Sequence, residues 1–133
     1  MMAVNIANAL AENGLESHIC ATRQQGDLKA KIGAGVGYLF LDKKSTLDVK
    51  AIQKLVSYIK SNGINTIHAH ATSYFTAFLV KFWLPKVMIV WHDHYGNSEN
   101  LKERKKFPLS LVSKTFKSVI SVNNNLHQWA IKY

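Results

Sequence analysis

The stretch KVMIVWHDHYG, residues 86–96, decides the predicted fold. Residues 87–91 form a short apolar run rich in β-branched and aromatic side chains, which is typical of a strand buried on both faces of a parallel sheet. The run breaks abruptly into two histidines, an aspartate and a tyrosine. Because the ligands of open α/β sheets bind outside the carboxyl ends of the strands, this stretch predicts both the centre of a sheet and a candidate site.

The rest of the chain alternates predicted strands with predicted helices, which is typical of an α/β fold. Such alternation predicts a Rossmann-like, doubly wound parallel sheet with helices on both faces. At 133 residues the chain has the length of one domain, so we predict a single domain over residues 1–133. The predicted strands cover residues 16–22, 36–41, 64–69, 87–91 and 118–122, and the predicted helices cover residues 2–13, 45–62, 71–84, 107–116 and the stretch from 123 onward.

Capping residues set several of the predicted helix boundaries. Residues 45–48 have the Ser-x-x-acid form of a capping box, which predicts that the second helix starts at Ser45. Gly14 and Gly63 stand where the first and second helices should end, since glycine adopts the left-handed conformation that closes helices. The third helix, residues 71–84, is apolar almost all round, so we predict that it is buried or that part of it faces a membrane or a partner.

The chain is strongly basic, with 17 lysines and arginines against 8 acidic residues. Such an excess indicates an anionic partner, such as nucleic acid, a lipid surface or a phosphorylated ligand. Part of the excess falls in the loop after the central strand, for which a solvated face and an anion- or membrane-binding surface are equal alternatives. The residues of that predicted surface are Lys102, Arg104, Lys105 and Lys106.

Other features of the sequence bound the location and the class of protein. Cys20 is the only cysteine, which excludes an internal disulfide and indicates a reducing compartment. No apolar run approaches the ~18 residues that span a bilayer, and no signal peptide is evident. We therefore expect a cytoplasmic protein that at most lies on the inner face of a membrane. There is no Walker loop, zinc-finger spacing or nucleophile elbow, and we expect no nucleic-acid partner.

Two His-x-His pairs follow two of the predicted strands. His68 and His70 end one strand, and His92 and His94 follow the central one. Since strand side chains alternate faces, each pair points to one side if the strand geometry persists, and four imidazoles converge if the strands are neighbours. Such a group could ligate a metal, act as a general acid or base, or hydrogen-bond a polar or anionic substrate. The alternative is that one histidine of each pair is buried and the other lies on the surface.

Asp93 and Asn123 each have two interpretations. Asp93 is either part of the site or a turn residue before Gly96, which is a common use of aspartate in loops. Asn123 stands just beyond the last predicted strand, where it either caps the following helix or lines the same cleft. The sequence leaves both alternatives open.

Four segments, in this order and spacing, resemble the acceptor-side half of glycosyltransferase family 4. They are VNIANALAENGLESHICAT, INTIHAHAT, MIVWHDHYG and SVISVNNNL, and His-Asp-His-Tyr-Gly is the most distinctive piece. Enzymes of that family have the GT-B fold, in which two Rossmann-like domains face each other across a cleft. The resemblance covers essentially the whole chain and implies the N-terminal domain of such an enzyme.

The resemblance implies transfer of a sugar from a nucleotide-sugar to a glycan or lipid-linked acceptor, as in the synthesis of cell-envelope polysaccharides. His92 matches the histidine that faces the reacting sugar, and the implied catalytic residues are His92 and Asp93. No metal ion or cofactor is expected to be bound by this chain itself. Asn123 stands where many relatives carry a serine, which leaves its role open. The implied acceptor-binding residues are His70, Thr72, His94, Tyr95 and Asn123.

The departures from the family pattern lead to further expectations. Relatives have a strand and a Gly-Gly-x-x-Arg-like loop before the first helix, and a C-terminal domain that carries most donor contacts. We therefore expect a chain truncated at both ends, without its first strand, and inactive without the missing C-terminal donor domain. We also expect that residues 16–22 and 64–69 either pair directly or drive self-association, because unpaired strand edges recruit other chains.

Two other functions remain open on the residues alone. One is a small metal-dependent hydrolase that uses the two His-x-His pairs. The other is a non-catalytic module for anions or membrane surfaces, based on the basic loop and the apolar residues 71–84. A tightly held stoichiometric metal ion would favour the hydrolase, and binding to anionic liposomes would favour a membrane role.

Overall fold

The computed structural model describes residues 1–133, in which the helices and strands follow one another in the order that the sequence predicts. All strand pairs are parallel, which confirms the Rossmann-like α/β class. In chain order the elements are α1 (Met2–Glu12), β1 (Ser17–Ala21), β2 (Val36–Phe40), α2 (Val49–Ser61), β3 (Thr66–His70), α3 (Tyr74–Val80), β4 (Met88–Asp93), α4 (Leu109–Val112), β5 (Ser118–Ser121) and α5 (Asn124–Lys132).

The strands divide into two sheets rather than one continuous sheet. The first contains β1 and β2, and the second has the order β3-β4-β5 with the predicted central strand in its middle. The chain correspondingly forms two compact units, Met1–Tyr58 and Ile59–Tyr133, and the single domain stays a prediction. The expectation that residues 16–22 and 64–69 either pair directly or drive self-association also stays a prediction.

In the first unit, two side chains lie so close to the backbone of β2 that position 37 requires glycine. Gly37 of β2 faces His18 of β1 in the parallel register, and a Cβ atom at this position would collide with the imidazole of His18 and the hydroxyl of Tyr58. These two side chains are hydrogen-bonded, with His18 Nδ1 at 2.9 Å from the Tyr58 hydroxyl oxygen. Glycine is therefore the residue that admits this pair over β2.

The glycine helix ends predicted from the sequence are confirmed. Gly14 and Gly63 have φ angles of +77° and +60°, which glycine adopts without steric cost. After α1 the Leu15 N–H donates to the Leu10 carbonyl at 3.0 Å, and after α2 the Ile64 N–H donates to the Ile59 carbonyl at 3.0 Å. These bonds satisfy carbonyls that the end of each helix would otherwise leave unpaired.

The predicted start of α2 is wrong by one helical turn. The helix begins at Val49, and Asp48, rather than Ser45, caps it. The Asp48 carboxylate accepts hydrogen bonds from the Ala51 N–H at 3.1 Å and the Lys44 N–H at 2.9 Å. These backbone bonds lower the pKa of Asp48. The capping-box pattern therefore identified the right segment but assigned the cap to the wrong residue.

The long apolar helix predicted over residues 71–84 is also only partly formed. A 3-10 turn over Ala71–Ser73 precedes α3, which ends at Val80. The N–H groups of residues 81–83 then bond to the third residue back, so the chain tightens into 3-10 turns before Pro85. Phe82 is 69% exposed. No helix has the length and apolar character needed to cross a bilayer.

The core of the second unit lies on one face of its three-stranded sheet. The helix α3 packs on β3 and β4, and α5 packs on β5. Odd-numbered residues of β3 and β4 point into this core, so their even-numbered residues project from the opposite face. One cluster of buried core residues consists of Ala69, Ala77, Ile89, Trp91, Leu109 and Trp129.

Candidate functional site

The central strand β4 continues two residues beyond its apolar run. His92 is paired with His70 of β3 and with Ile120 of β5, and Asp93 is paired with Ser121 of β5. The predicted break after Trp91 is therefore too early, because pairing with both neighbouring strands extends β4. The predicted placement of His70 and His92 at one carboxyl edge of a parallel sheet is confirmed.

Four imidazoles converge on the face of this sheet opposite the core. We call His68, His70, His92 and His94 the histidine cluster. The rings of His92 and His94 stack with centroids 4.1 Å apart, and those of His68 and His92 are parallel within 1° at 5.2 Å. His70 Nδ1 and His94 Nε2 form a hydrogen bond of 3.0 Å. The convergence expected from the two His-x-His pairs is thus observed.

Burial and mutual proximity keep much of the histidine cluster uncharged. Burial, followed by the proximity of the neighbouring histidines, lowers the pKa of His70 to about 4. Burial likewise lowers the pKa of His68 and of His92, with His94 acting in the same direction on both. These three imidazoles are therefore neutral at pH 7, which leaves each ring one nitrogen able to accept a hydrogen bond or a metal ion.

Two nitrogens of the cluster have no partner although they are buried. They are His68 Nε2 and His92 Nδ1. Most buried polar atoms in proteins are hydrogen-bonded, so such atoms call for an explanation. The potential ligand atoms of His68, His70 and His92 all lie within 4.8 Å of one another. Several nitrogens of the cluster can therefore bind the same hydrogen-bonding group or metal ion.

Asp93 lies on the opposite face of β4, in a buried ion pair with Arg104. The two guanidinium nitrogens lie 2.6 and 2.9 Å from the two carboxylate oxygens, and the side chains are 9% and 1% exposed. The guanidinium also lies over the Trp129 and Tyr95 rings, at 4.2 and 4.6 Å from their centroids. Both carboxylate oxygens of Asp93 thus have hydrogen-bond partners. The prediction that Arg104 belongs to the exposed basic surface is wrong, because its side chain is 9% exposed.

The remaining predicted acceptor residues surround the strand ends to different degrees. Thr72 is exposed in the turn after β3, and Tyr95 is half-buried just after β4. The Tyr95 N–H donates to Asp93 Oδ1 at 3.2 Å. Asn123 caps α5, since its side-chain oxygen accepts from the Leu126 N–H at 3.0 Å. The capping interpretation of Asn123 is therefore the one that the structure realises.

Three of the four predicted basic-surface residues are exposed. They are Lys102, Lys105 and Lys106. The Lys106 ammonium lies 3.4 Å from the centroid of the Tyr133 ring, and hydrogen bonding to Lys106 lowers the pKa of the Tyr133 hydroxyl. Next to them Phe107 is 76% exposed. Basic and apolar groups are therefore adjacent on this surface.

The functional pairing that sequence reasoning missed is that of Asp93 with Arg104. Its one signal in the sequence is the residue type, because Arg104 stands among lysines and is one of only two arginines in the chain. Arginine suits buried, two-pronged contacts with carboxylates better than lysine does. An arginine in a lysine-rich loop after a buried aspartate could have suggested the pair.

Comparison with known proteins gives one match. A family model described as Glycosyltransferase Family 4 matches residues 1–133. Neither the curated proteins nor the solved structures contain a match to the chain. The match covers all the segments on which the resemblance in the sequence was based.

Proposed function

The chain belongs to glycosyltransferase family 4, and on this premise we propose that it binds the acceptor in a sugar transfer from a nucleotide-sugar. The observation that carries the proposal is the convergence of His70, His92 and His94 at the carboxyl edge of β3 and β4. Ligands of open α/β sheets bind at this edge. The proposed acceptor is a glycan or a lipid-linked glycan of the cell envelope, and a C-terminal domain is the proposed binder of the donor.

The proposed roles follow from the protonation state and the free atoms of the cluster. An acceptor hydroxyl must lose its proton as it attacks the sugar, and a neutral imidazole can accept the hydrogen bond from that hydroxyl. His92 takes this role, since it is neutral at pH 7 and its Nδ1 has no partner. The hydrogen-bonded pair of His70 and His94 orients the acceptor beside it.

Asp93 receives a positioning role in this proposal. Its carboxylate is held by Arg104 and accepts the Tyr95 N–H, so it fixes the path of the chain just beyond His92. Thr72 and Tyr95 then lie at the ends of β3 and β4, where they can line the acceptor site. Asn123 supports the site through the start of α5, because its oxygen is used by the cap.

The exposed basic residues suit an acceptor that is anchored in a membrane. Lys102, Lys105 and Lys106 can bind anionic lipid headgroups, each contributing about 1 kcal/mol near a charged surface. The exposed Phe107 ring beside them can enter the interface between headgroups and acyl chains. Peripheral attachment to the inner face of the membrane is therefore part of the proposal.

The acceptor role is tested by NMR of the chain with isotope-labelled histidines, in the presence of a metal chelator. We expect short glycans or water-soluble prenyl-phosphate glycans to shift the imidazole resonances of His70, His92 and His94. The histidines outside the cluster, His18 and His127, serve as internal controls and should not move. Shifts confined to these controls, or no shift with any acceptor class, would contradict the proposed function.

A further inference from the structure

The histidine cluster also has the properties of a metal site. Three of its imidazoles come from two hydrogen-bonded strands, with His70 and His92 directly opposite each other in the register. Their potential ligand nitrogens lie within 4.8 Å of one another. Because the strands fix the backbone on both sides, this grouping does not depend on a mobile loop.

The distances fit a zinc-like ion after small side-chain movements. Zn–N bonds of about 2.0–2.1 Å place two nitrogens of a tetrahedral ion about 3.3 Å apart. Nitrogens that start within 4.8 Å need to approach by about 1.5 Å at most, on the scale of small side-chain rotations. The backbone of β3 and β4 can stay in place.

The hydrogen bonds of the cluster leave suitable atoms free. His68 Nε2 and His92 Nδ1 are buried without a partner, and His92 as a whole is buried. His70 Nδ1 bonds to His94 Nε2, which leaves Nε2 of His70 for an ion. In known metal sites a ligating histidine commonly uses its second ring nitrogen in such an outer hydrogen bond.

The ligand types select the class of metal. Imidazoles suit zinc, copper, nickel and iron, whereas magnesium and calcium require oxygen ligands. The carboxylate of Asp93, the residue next to His92, lies on the other face of β4 in its pair with Arg104. We therefore propose that His68, His70 and His92 bind a divalent transition-metal ion of the zinc class, with His94 as the outer hydrogen-bond partner of His70.

The metal site goes beyond the proposed function and departs from the expectation that the chain binds no metal. It shares His70 and His92 with the acceptor site, so an ion and an acceptor hydroxyl would compete for the same nitrogens. The two proposals can nevertheless be tested independently, so that either one can be wrong without the other. Metal binding is measured without acceptor, and acceptor binding is measured with a chelator present.

The binding test is a titration of the metal-free chain with Zn²⁺ in competition with a chromophoric chelator. We expect binding of about one ion per chain, and a loss of affinity of more than about tenfold in each of His68→Ala, His70→Ala and His92→Ala. The matched control is His127→Ala, which removes an exposed histidine of α5 and should leave the affinity unchanged. Equal affinity in the cluster variants, or a loss only in His127→Ala, would overturn the site.

A measurement on the unmodified chain covers the case in which a variant does not fold. X-ray absorption of the zinc-loaded protein should show nitrogen or oxygen neighbours at about 2.0 Å and an imidazole scattering pattern. Sulfur at about 2.3 Å would assign the ion to Cys20 instead and overturn the proposal. The absence of any bound zinc after the titration would do the same.

Discussion

At the scale of single residues the pair of Asp93 and Arg104 has the largest expected effect on stability. Arg104→Met removes the guanidinium and leaves the 1%-exposed carboxylate without its counter-charge. Breaking a buried pair on one side costs about 3–5 kcal/mol of unfolding free energy. Urea denaturation of the variant and the wild type measures this difference.

The double variant Asp93→Leu with Arg104→Met is the matched control for this prediction. Replacing both charges by apolar groups removes the uncompensated carboxylate, so the double variant should be more stable than Arg104→Met alone. Equal urea midpoints for Arg104→Met and the wild type would contradict the importance of the pair.

Gly37 provides a second prediction at this scale. Gly37→Ala places a methyl group against the His18 ring and the Tyr58 hydroxyl, and we expect overpacking to cost about 1–3 kcal/mol. Gly26→Ala is the control, because nothing lies within 4 Å of a Cβ atom there. Thermal unfolding compares the two variants, and equal melting temperatures would show that β1 and β2 adjust without cost.

The residues of the site were predictable to different extents. The histidines were found because alternation along a strand places residues 68 and 70, and residue 92, on a common face once the strands are neighbours. The partner of Asp93 was not found, because the contact depends on how the chain between residues 93 and 104 returns to the sheet. Strand periodicity carries no information about that return.

At the scale of secondary-structure elements, α5 depends on its cap. Asn123→Ala removes the oxygen that accepts the Leu126 N–H, and loss of such a cap costs about 1 kcal/mol. Asn123→Ser retains a capping oxygen and should restore most of the stability. Chemical denaturation measures both variants. Equal stability of the alanine and serine variants would contradict the capping role.

The half-buried histidine at the end of β3, His70, should make the unfolding free energy depend on pH. In the unfolded chain the histidines bind protons near their ordinary pKa of 6.5, whereas burial holds the pKa of His70 at about 4. Between these values the unfolded state binds more protons, so the unfolding free energy should decrease as the pH falls from about 6.5 to about 4. Urea midpoints measured across this range, with a chelator present, provide the test.

The control variants for the pH dependence separate the buried histidine from an exposed one. His70→Gln should reduce the slope of stability against pH, because one depressed pKa is removed. His127→Ala, which removes an exposed histidine of α5, is the control for the loss of one histidine. A slope that is the same in wild type and His70→Gln would contradict the assignment to the cluster.

Helix lengths were the weakest part of the sequence prediction. Glycine marked the ends of α1 and α2 correctly, because the left-handed backbone there favours glycine. The apolar pattern of residues 71–84 and 107–116 overestimated α3 and α4, which have seven and four residues. Apolar periodicity reports which side chains can be buried, and it does not report where backbone hydrogen bonds change to a 3-10 pattern.

At the scale of the whole molecule the basic surface predicts binding to anionic membranes. Reversing Lys105 and Lys106 to glutamate should weaken co-sedimentation with anionic liposomes, because exposed charges attract lipid headgroups over a Debye length of ~10 Å at 0.1 M salt. The matched control is the same reversal at Lys50 and Lys60, which are exposed on α2. Binding that survives both added salt and the reversal would indicate attachment through exposed apolar groups such as Phe82.

The class of fold was predictable, whereas the grouping of the strands was not. Alternating apolar strands and amphipathic helices predicted parallel strands, and the central position of β4 followed from its apolar run. The division into two sheets depends on which strands are neighbours. Which strands are neighbours depends on residues far apart in the chain, and the residue pattern within one strand does not predict it.

The alternation of β4 has a consequence for how this protein can change. Its odd positions carry the core residues Ile89 and Trp91 and the ion pair of Asp93, while His92 stands on the other face with the imidazoles of β3. Substitutions at the even positions can therefore exchange one ligand or substrate contact for another without disturbing the packed layer. A deletion of one residue within β4 would turn the side chains beyond it to the other face of the sheet, so that core residues would face the site and site residues would face the core. Evolution of new specificity on this strand should accordingly proceed by point substitution and tolerate no insertion or deletion.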